Sequence, residues 1–329
     1  MTPFAHILLE WYAAHGRDLP WRRTRDPYAI LLSEIILQQT RIAQGLAYWE
    51  RFMAAFPDVQ SLAAASEDEV LRAWQGLGYY SRARNLHAAA RQIASEGTFP
   101  DTLEGIRALR GVGDYTAAAI ASIAFGLPVA VVDGNVYRVL ARYFGIRTPI
   151  GSTAARKEFA TRAQSLLPPE RPGDFNQALM DFGALQCTPA APDCAACPLA
   201  GSCAALAAGA VDSLPVRKRT VAVQTRRFDY IYVRFRGRTA IRKRPVGNIW
   251  AGLWEPVVCD PLPENAVLIR SGVRHQLTHR TLVVDFYLWE PDREPALPEG
   301  YVWIEEAELD RYAKPRLFEL LLAALPDGR

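Results

Sequence analysis

The sequence predicts a mainly α-helical N-terminal domain followed by a smaller α+β domain. From His6 to about Ala205, apolar residues recur at three- and four-residue spacing, and glycines and prolines separate the segments. From Val221, β-branched and aromatic residues alternate with polar ones, as half-buried strands require. We therefore expect domains over 1–206 and 221–329, joined by a linker over 207–220 that contains a proline and a basic triplet.

The helical periodicity is clearest in four segments of the first domain. Apolar residues follow the 3.6-residue repeat over 28–42, 67–74, 116–125 and 136–144, and each segment is predicted to form a helix. No internal repeat or low-complexity tract interrupts this pattern. The first domain is therefore expected to be all-α.

Composition indicates a globular chain with a substantial core. Of 329 residues, 50% are hydrophobic and 22% are charged. No uncharged apolar stretch reaches about 18 residues, and the N-terminus lacks the pattern of a secretory signal. The sequence therefore predicts a soluble, cytoplasmic protein without a membrane partner, and a monomer.

Charge is unevenly distributed although the net charge is only +3. The segment between Val211 and Trp250 contains eleven basic residues and only two acidic ones, Asp212 and Asp229. Such a run is compatible with a solvated face and also with a phosphate backbone. The eleven are Arg217, Lys218, Arg219, Arg226, Arg227, Arg234, Arg236, Arg238, Arg242, Lys243 and Arg244.

Four of the five cysteines lie close together near the end of the helical domain. They follow the spacing Cys187-x6-Cys194-x2-Cys197-x5-Cys203, whereas Cys259 stands alone among strand residues and is expected to be a core thiol. Disulfides are disfavoured in the reducing environment expected for this chain, so the spacing indicates a metal or cluster site. Four thiolates can hold structural zinc or an iron-sulfur centre, and ligand chemistry alone does not choose between them.

Two carboxylates stand in apolar surroundings. Glu34 is the one charged residue of the helical run LLSEIILQQ, where desolvation is expected to raise its pKa towards the range of a general acid. A buried salt bridge is the alternative. Asp133 follows the apolar run 129–132 and is expected to cap the helix that ends near Gly145, whatever its chemical role.

The segment Leu109–Gly113 has the composition of a turn between two helices. Gly111 and Gly113, with Val112 between them, free backbone N–H groups before a helix expected to run on from Thr116. Such groups form an anion site that suits a DNA phosphate without reading sequence. The alternative is an ordinary helix-helix turn.

These features occur in the order found in a known enzyme family. The sequence resembles the MutY-type adenine DNA glycosylases of the helix-hairpin-helix/GPD superfamily over nearly its whole length. The resemblance is carried by the four-cysteine loop and by six preceding motifs, namely RDLPWR (17–22), SEIILQQT (33–40), GLGYYSRARNL (76–86), LRGVGDYTAAAI (109–120), VVDGNVYRV (131–139) and FNQALMDFGALQC (175–187).

The resemblance implies a 4Fe-4S cluster on the loop 187–203 and base excision from double-stranded DNA holding adenine opposite 8-oxoguanine or guanine. Glu34 would protonate adenine N7, and Asp133 would stabilise or capture the sugar cation, as in two-carboxylate glycoside hydrolysis. The remaining implied site residues are Tyr115 and Asn135 around the carboxylates, Trp21, Arg22 and Gln177 in the adenine pocket, and Gln39, Thr40, Leu77 and Tyr79 at the position of the extruded nucleotide.

Tyr115 distinguishes the adenine glycosylase interpretation from the alternative of an endonuclease III-like glycosylase/lyase. Relatives that cut the strand carry a lysine at this place, which forms a Schiff base with the sugar. No lysine occurs here before Lys157, so a monofunctional enzyme is predicted. A third alternative is a non-catalytic DNA-binding protein, against which the presence of both Glu34 and Asp133 argues.

The second domain resembles the Nudix-like domain that senses 8-oxoguanine in this family. Its landmarks are GNIWAGLWE (247–255) and RHQLTHRTL (274–282), in which Thr278 and His279 would meet the lesion. Leu277 replaces the more usual aromatic residue of this loop. No Glu-rich metal-binding helix follows Glu255, so Nudix hydrolysis is not expected.

Overall fold

The computed structural model describes residues 1–217, 224–245, 247–277 and 280–326. The chain divides into two compact units. Unit 1 comprises Met1–Ala63 and Ala88–Arg219, and unit 2 comprises Ala64–His87 and Thr220–Arg329. Part of the N-terminal helical region therefore belongs with the C-terminal strands, and the domain limits at 206 and 221 stay a prediction.

Helices build the described N-terminal region, as the fold class predicted. They are α1 (Pro3–His15), α2 (Pro27–Leu37), α3 (Ile42–Ala55), α4 (Val59–Ala64), α5 (Glu67–Ala73), α6 (Ser81–Glu96), α7 (Leu103–Ala108), α8 (Asp114–Ala124), α9 (Gly134–Phe144), α10 (Thr153–Leu166), α11 (Pro172–Leu185) and α12 (Ala204–Ala207). Among these described helices, none is long and apolar enough to cross a membrane.

Two predicted helix limits are corrected by the structure. The helix expected over 28–42 ends at Leu37, and the chain turns at Gln39, whose φ is 59°, before α3 begins. The helix expected from Thr116 begins two residues earlier, at Asp114, with Gly113 as its N-cap. Apolar spacing continues across both limits and therefore does not mark them.

Helix α9 begins and ends as expected. Asp133 accepts a hydrogen bond from the backbone N–H of Val136, and Gly145 ends the helix in the left-handed conformation at φ 68°. Its apolar face is buried in a core built with α1, α10 and α11. The largest fully buried side chains of that core are Phe159, Phe175 and Phe182.

Unit 2 contains a mixed sheet. Its described strands are β1 (Gln224–Phe235), β2 (Arg238–Lys243), β3 (Trp254–Pro256), β4 (Val267–Gln276), β5 (Arg280–Trp289) and β6 (Tyr301–Glu305). They lie in the order β3-β2-β1-β5-β4, with β6 also paired to β2. The long strands β1 and β5 are parallel, with Phe228 opposite Val284, and the other pairs are antiparallel. Residues 257–266, which join β3 to β4, form no helix.

The core of unit 2 lies between the sheet and the C-terminal helix α13 (Arg316–Leu322). Tyr230, Tyr232 and Phe286 from the sheet pack in one buried cluster with Leu317 and Phe318 from this helix. All five side chains are fully buried. Burial of this apolar area supplies the main stabilisation of the unit.

Segment 64–87 is tied to the rest of unit 2 by polar contacts. Gln75 Nε2 donates to Glu319 Oε1 over 2.5 Å, and Lys243 Nζ lies 2.8 Å from Asp68 Oδ1. The guanidinium of Arg84 donates to the carbonyl of Ala251. The loop before α6 is thus built into the same unit as the strands.

Candidate active site

A cavity of about 620 Å³ opens in unit 1 between α2, α8, α9 and α11. Its lining brings together residues that lie far apart in the sequence, which is the arrangement expected of an active site. Eight of the sequence-predicted site residues line it, namely Trp21, Arg22, Glu34, Thr40, Tyr115, Asp133, Asn135 and Gln177.

Glu34 presents a carboxyl group to this cavity from the apolar helix α2. Every other described residue from Tyr28 to Ile36 is buried in the core. Desolvation raises the pKa of Glu34 to about 7, and the nearby charge of Asp133 adds to the shift. A hydrogen bond from Tyr115 and the charge of Arg22 oppose it. Glu34 can therefore hold a proton near neutral pH and release it.

Asp133 combines its cap with a place in the cavity. The backbone N–H of Val136 donates to its Oδ1 over 2.8 Å, and Asn135 Nδ2 donates to its Oδ2 over 2.8 Å. Desolvation raises the pKa of Asp133, and these hydrogen bonds oppose that shift because they favour the carboxylate. Both functions expected of Asp133 therefore fit one position.

Asn135 is itself held by a buried arginine. Arg138 donates to Asn135 Oδ1 over 2.8 Å and to the carbonyls of Gly183 and Cys187 over 2.6 and 2.7 Å. The guanidinium thus joins the start of α9 to the end of α11. Sequence reasoning missed Arg138, although a basic residue on the apolar face of a helix signals a buried partner.

Tyr115, on α8, lines the cavity and interacts with Glu34. Its hydroxyl lies 3.4 Å from Sδ of Met180 and hydrogen-bonds to Glu34. Desolvation, and then the charges of Glu34 and Asp133, raise the pKa of Tyr115 well above its usual range. The phenol therefore remains protonated and donates rather than attacks.

The predicted adenine pocket contains a charge network that the sequence did not reveal. Trp21 is buried, with its ring centroid 5.7 Å from that of Trp49. Arg22 forms a bidentate pair with the fully buried Asp181, which also binds Arg17. Asp181 lies 159 residues after Arg22, so the sequence around RDLPWR does not identify this partner.

A second small cavity, of about 30 Å³, is lined by all four clustered cysteines. None of the four thiols forms a disulfide, and Cys187 Sγ accepts a hydrogen bond from Arg142 over 3.4 Å. Among described residues, no group of three or more His, Cys, Asp or Glu side chains is arranged to hold a metal ion. The donor set is nevertheless four thiols around one space, which is the set that an iron-sulfur cluster binds.

Arg142 organises that loop from α9. Its guanidinium donates to the carbonyls of Thr188, Val211 and Leu214 over 2.7, 3.0 and 3.1 Å. Arg142 is buried and was not among the predicted site residues. It ties the start of the cysteine loop, and the segment that follows α12, to the helical core.

Gln39 and Tyr79, two of the predicted DNA-contacting residues, have left-handed backbones. Their φ angles are 59° and 48°, a conformation that costs free energy for residues other than glycine and that concentrates at functional sites. Gln39 is exposed in unit 1, and Tyr79 is 46% exposed in unit 2. Leu77 is buried in its unit, and its contact with DNA stays a prediction.

The predicted hairpin forms the turn between α7 and α8. Gly111 adopts φ 79° and is exposed, Val112 is buried, and the exposed Gly113 caps α8. This is the geometry in which the start of a helix faces solvent. Phosphate binding there stays a prediction.

In unit 2, Thr278 and His279 lie outside the described residues. Leu277, before them, packs against the core of the unit. Several arginines and one lysine of the basic run form ion pairs with carboxylates. These pairs are Arg234 with Glu306, Arg238 with Glu294, Arg242 and Arg244 with Glu255, and Lys243 with Asp68.

Comparison with known proteins agrees with this geometry. The family model described as HhH-GPD superfamily base excision DNA repair protein matches residues 32–168, and a NUDIX domain model matches residues 230–324. An adenine DNA glycosylase of Buchnera aphidicola from Acyrthosiphon pisum is 34% identical over 76% of this chain and 73% of its own length. The one from Baizongia pistaciae is 32% identical over 86% and 84%.

The chain belongs to the adenine DNA glycosylase family. The human adenine DNA glycosylase is 47% identical over 62% of this chain, but the matched part spans only 40% of the human protein. For the mouse, rat and Arabidopsis thaliana relatives the spanned share is 44 to 46%. The family and the fold class expected from the motifs are thereby confirmed.

Solved structures place the helical part of this family member among other DNA glycosylases. A thermostable thymine-DNA glycosylase matches with a TM-score of 0.57 and 32% identity over 62% of this chain and 95% of that one. An endonuclease III bound non-covalently to DNA matches at a TM-score of 0.54 and 22% identity, over 63% and 94% of the two chains. The second likeness concerns the fold alone.

Proposed function

We propose that this chain is a monofunctional glycosylase that removes adenine from duplex DNA where adenine lies opposite 8-oxoguanine or guanine. The observation that carries the proposal is the pairing, in one cavity, of Glu34 at a pKa of about 7 with Asp133. An enzyme that breaks a glycosidic bond needs an acid for the leaving group and a carboxylate for the sugar cation.

The first step is proton transfer to the base. Protonated Glu34 donates its proton to N7 of an adenine turned out of the stack. The electron pair of the bond between sugar C1′ and adenine N9 moves onto the base, which leaves neutral. A cationic sugar remains, and Glu34 is left as a carboxylate.

The second step is capture of that cation. Asp133, held as a carboxylate by Asn135 and Val136, stabilises the positive charge or binds C1′ transiently. Glu34 then takes a proton from water while the hydroxyl adds to C1′. The products are adenine and an abasic strand, and Glu34 is again protonated for the next turnover.

The cavity wall supplies base recognition. Trp21 offers an aromatic face, and Arg22 and Gln177 offer hydrogen-bond donors and acceptors to the edge of adenine. Tyr115 offers no amine to the sugar, which supports base removal without strand cleavage. We infer that Gln39, Thr40, Leu77 and Tyr79 fill the gap that the extruded nucleotide leaves.

We further infer that the Gly111–Gly113 turn binds a DNA phosphate and that Thr278 and His279 contact 8-oxoguanine. Cys187, Cys194, Cys197 and Cys203 would hold a 4Fe-4S cluster, which cross-links the end of α11 to α12 when bound. Arg142 would orient Cys187 towards it. A monomeric state and a cytoplasmic location also belong to the proposal.

A single-turnover assay on four duplexes tests the proposal. The lesion pairs are adenine opposite 8-oxoguanine, adenine opposite guanine, thymine opposite guanine, and thymine glycol opposite adenine. We expect base loss from the first two, with strands that break only after alkali. Excision restricted to thymine opposite guanine would favour the activity of the thymine-DNA glycosylase to which the chain is similar. Excision restricted to thymine glycol, with cleavage before alkali, would favour a lyase.

A further inference from the structure

Asp181 on α11 is a fully buried carboxylate that does not itself line the active-site cavity. Arg22 donates to its two oxygens over 2.5 and 2.7 Å. Arg17 donates to the same carboxylate through Nε and the backbone N–H, each over 2.9 Å, and through its terminal nitrogen. The hydrogen bonds from the two arginines lower the pKa of Asp181 despite its desolvation.

Arg22 has carboxylates on two sides, Asp181 on α11 and the carboxylates of the cavity. Its guanidinium lines the cavity, and the only carboxylates among the described lining residues are Glu34 and Asp133. The charge of Arg22 already acts on Glu34 and lowers its pKa. A partly buried cation that loses its partner carries a large desolvation penalty, which a move towards another carboxylate relieves.

We infer that Asp181 is a positioning residue that holds the guanidinium of Arg22 against α11 and so keeps it from forming an ion pair with Glu34. The inference rests on the proposed function, because it assigns Asp181 a task in adenine excision. Two further contacts support the same placement of Arg22. Its NH1 donates to the carbonyl of Arg17 over 3.1 Å, and its guanidinium carbon lies 5.7 Å from the ring centroid of Tyr12.

The consequence concerns the protonation of Glu34. The groups that act on Glu34 are Tyr115 from α8, Asp133 before α9 and Arg22 from the turn after α1, while Tyr12, Arg17 and Asp181 surround Arg22. An arginine in direct contact lowers a carboxyl pKa by about 1 to 3 units. An ion pair between Arg22 and Glu34 would thus leave Glu34 without its proton at neutral pH.

The test is the pH dependence of single-turnover adenine excision by Asp181→Asn. Asn keeps the side-chain shape but not the charge. The basic limb of the pH profile is the fall in rate as Glu34 loses its proton, and we expect it to move to lower pH in this variant. The rate constant should then fall by about tenfold or more near pH 7.5, and the loss should shrink to a few-fold near pH 5.5. Replacement of a residue that only supports the fold would lower the rate by the same factor at every pH.

Asp174→Asn is the matched control. Asp174 lies on the same helix, pairs with Arg171 at the surface and is half exposed. Its loss removes one negative charge from α11 without touching Arg22, so its pH profile should coincide with that of the native chain. A basic limb of Asp181→Asn that also coincides with the native one would overturn the inference.

Two more variants keep the question answerable if Asp181→Asn does not fold. These are Arg22→Gln and the double variant Arg22→Gln with Asp181→Asn, in which the cation and then its partner are removed. We expect the basic limbs of the two variants to coincide, at or above the pH of the native basic limb, since the guanidinium of Arg22 is absent and Arg17 is not among the groups that shift the pKa of Glu34. A limb that moves down when Asp181 is replaced in this background would contradict the account. Absence of adenine excision by the native chain would instead overturn the proposed function.

Discussion

Asn135 Nδ2 lies 2.8 Å from Asp133 Oδ2, and the other oxygen of this carboxylate caps α9. The side chain that we propose stabilises the sugar cation is therefore fixed by the helix that follows it. Fold and chemistry share one carboxylate here, and a substitution that preserves the cap can separate them.

Asp133→Asn is such a substitution. Asn caps helices about as well as Asp, so we expect the free energy of unfolding to change by less than about 1 kcal/mol. Excision should nevertheless be lost, because an amide carries no negative charge for the sugar cation. Single-turnover kinetics and denaturant unfolding measure the two effects.

Asp26→Asn is the control for the cap. Asp26 caps α2 through a 3.0 Å bond from the N–H of Tyr28 and is exposed. Its variant should show the same small change in stability with full activity. An active Asp133→Asn would mean that another carboxylate stabilises the sugar.

Glu34 should also make stability depend on pH. Its pKa is about 7 in the folded chain against 4.5 as the ordinary value, so the folded state binds the proton more tightly. The stabilisation is complete below about pH 4.5 and is lost as pH rises to about 7. Relative to Glu34→Gln, we expect the native chain to lose about 3 kcal/mol of unfolding free energy across that window.

Unfolding of both chains at several pH values measures this difference. Glu104→Gln, at an exposed position in the first turn of α7, should run parallel to the native chain. If the difference in unfolding free energy between the native chain and Glu34→Gln stays constant with pH, the pKa of Glu34 in the folded chain is its ordinary one.

We propose that Tyr115 decides whether the strand is cut. Its phenol supplies no amine, so borohydride should trap little covalent complex with the native chain and the abasic product should stay intact. We expect Tyr115→Lys to gain strand cleavage and borohydride trapping, because residue 115 lines the same cavity as Glu34 and Asp133. Efficient trapping by the native chain would contradict the monofunctional assignment.

We expect the stability of the cysteine loop to depend on the proposed cluster. Cys197→Ser removes one of the four thiols around the small cavity, and we expect lower soluble yield and loss of bound iron. Cys259→Ser, at a lone thiol of unit 2, is the control and should keep its iron. Metal analysis of anaerobically purified protein checks both, and zinc without iron in the native chain would overturn the cluster assignment.

Much of the site could be predicted because its signals are local. Asp133, three residues before Val136, predicts the start of α9, and Gly145 predicts its end. Both limits therefore depend on residues next to the helix itself. Glu34 stands out because one charge interrupts an apolar helix. The cysteines stand out by spacing alone.

Other features depend on contacts between distant residues. Arg22 meets Asp181 across 159 positions, and nothing near either residue identifies its partner. The parallel pairing of β1 with β5, and the association of segment 64–87 with the strands, are non-local in the same sense. The turn at Gln39 was missed because a positive φ leaves the apolar spacing on either side unchanged.

The most direct test of the account is adenine excision by Glu34→Gln under single-turnover conditions, with binding to the same duplex measured in parallel. Gln preserves the size of the side chain but has no proton to give to adenine N7. The account predicts that excision from the adenine:8-oxoguanine duplex falls by a factor of about 100 or more, as loss of a general acid does, while the dissociation constant changes little. Excision within a few-fold of the native rate would contradict it.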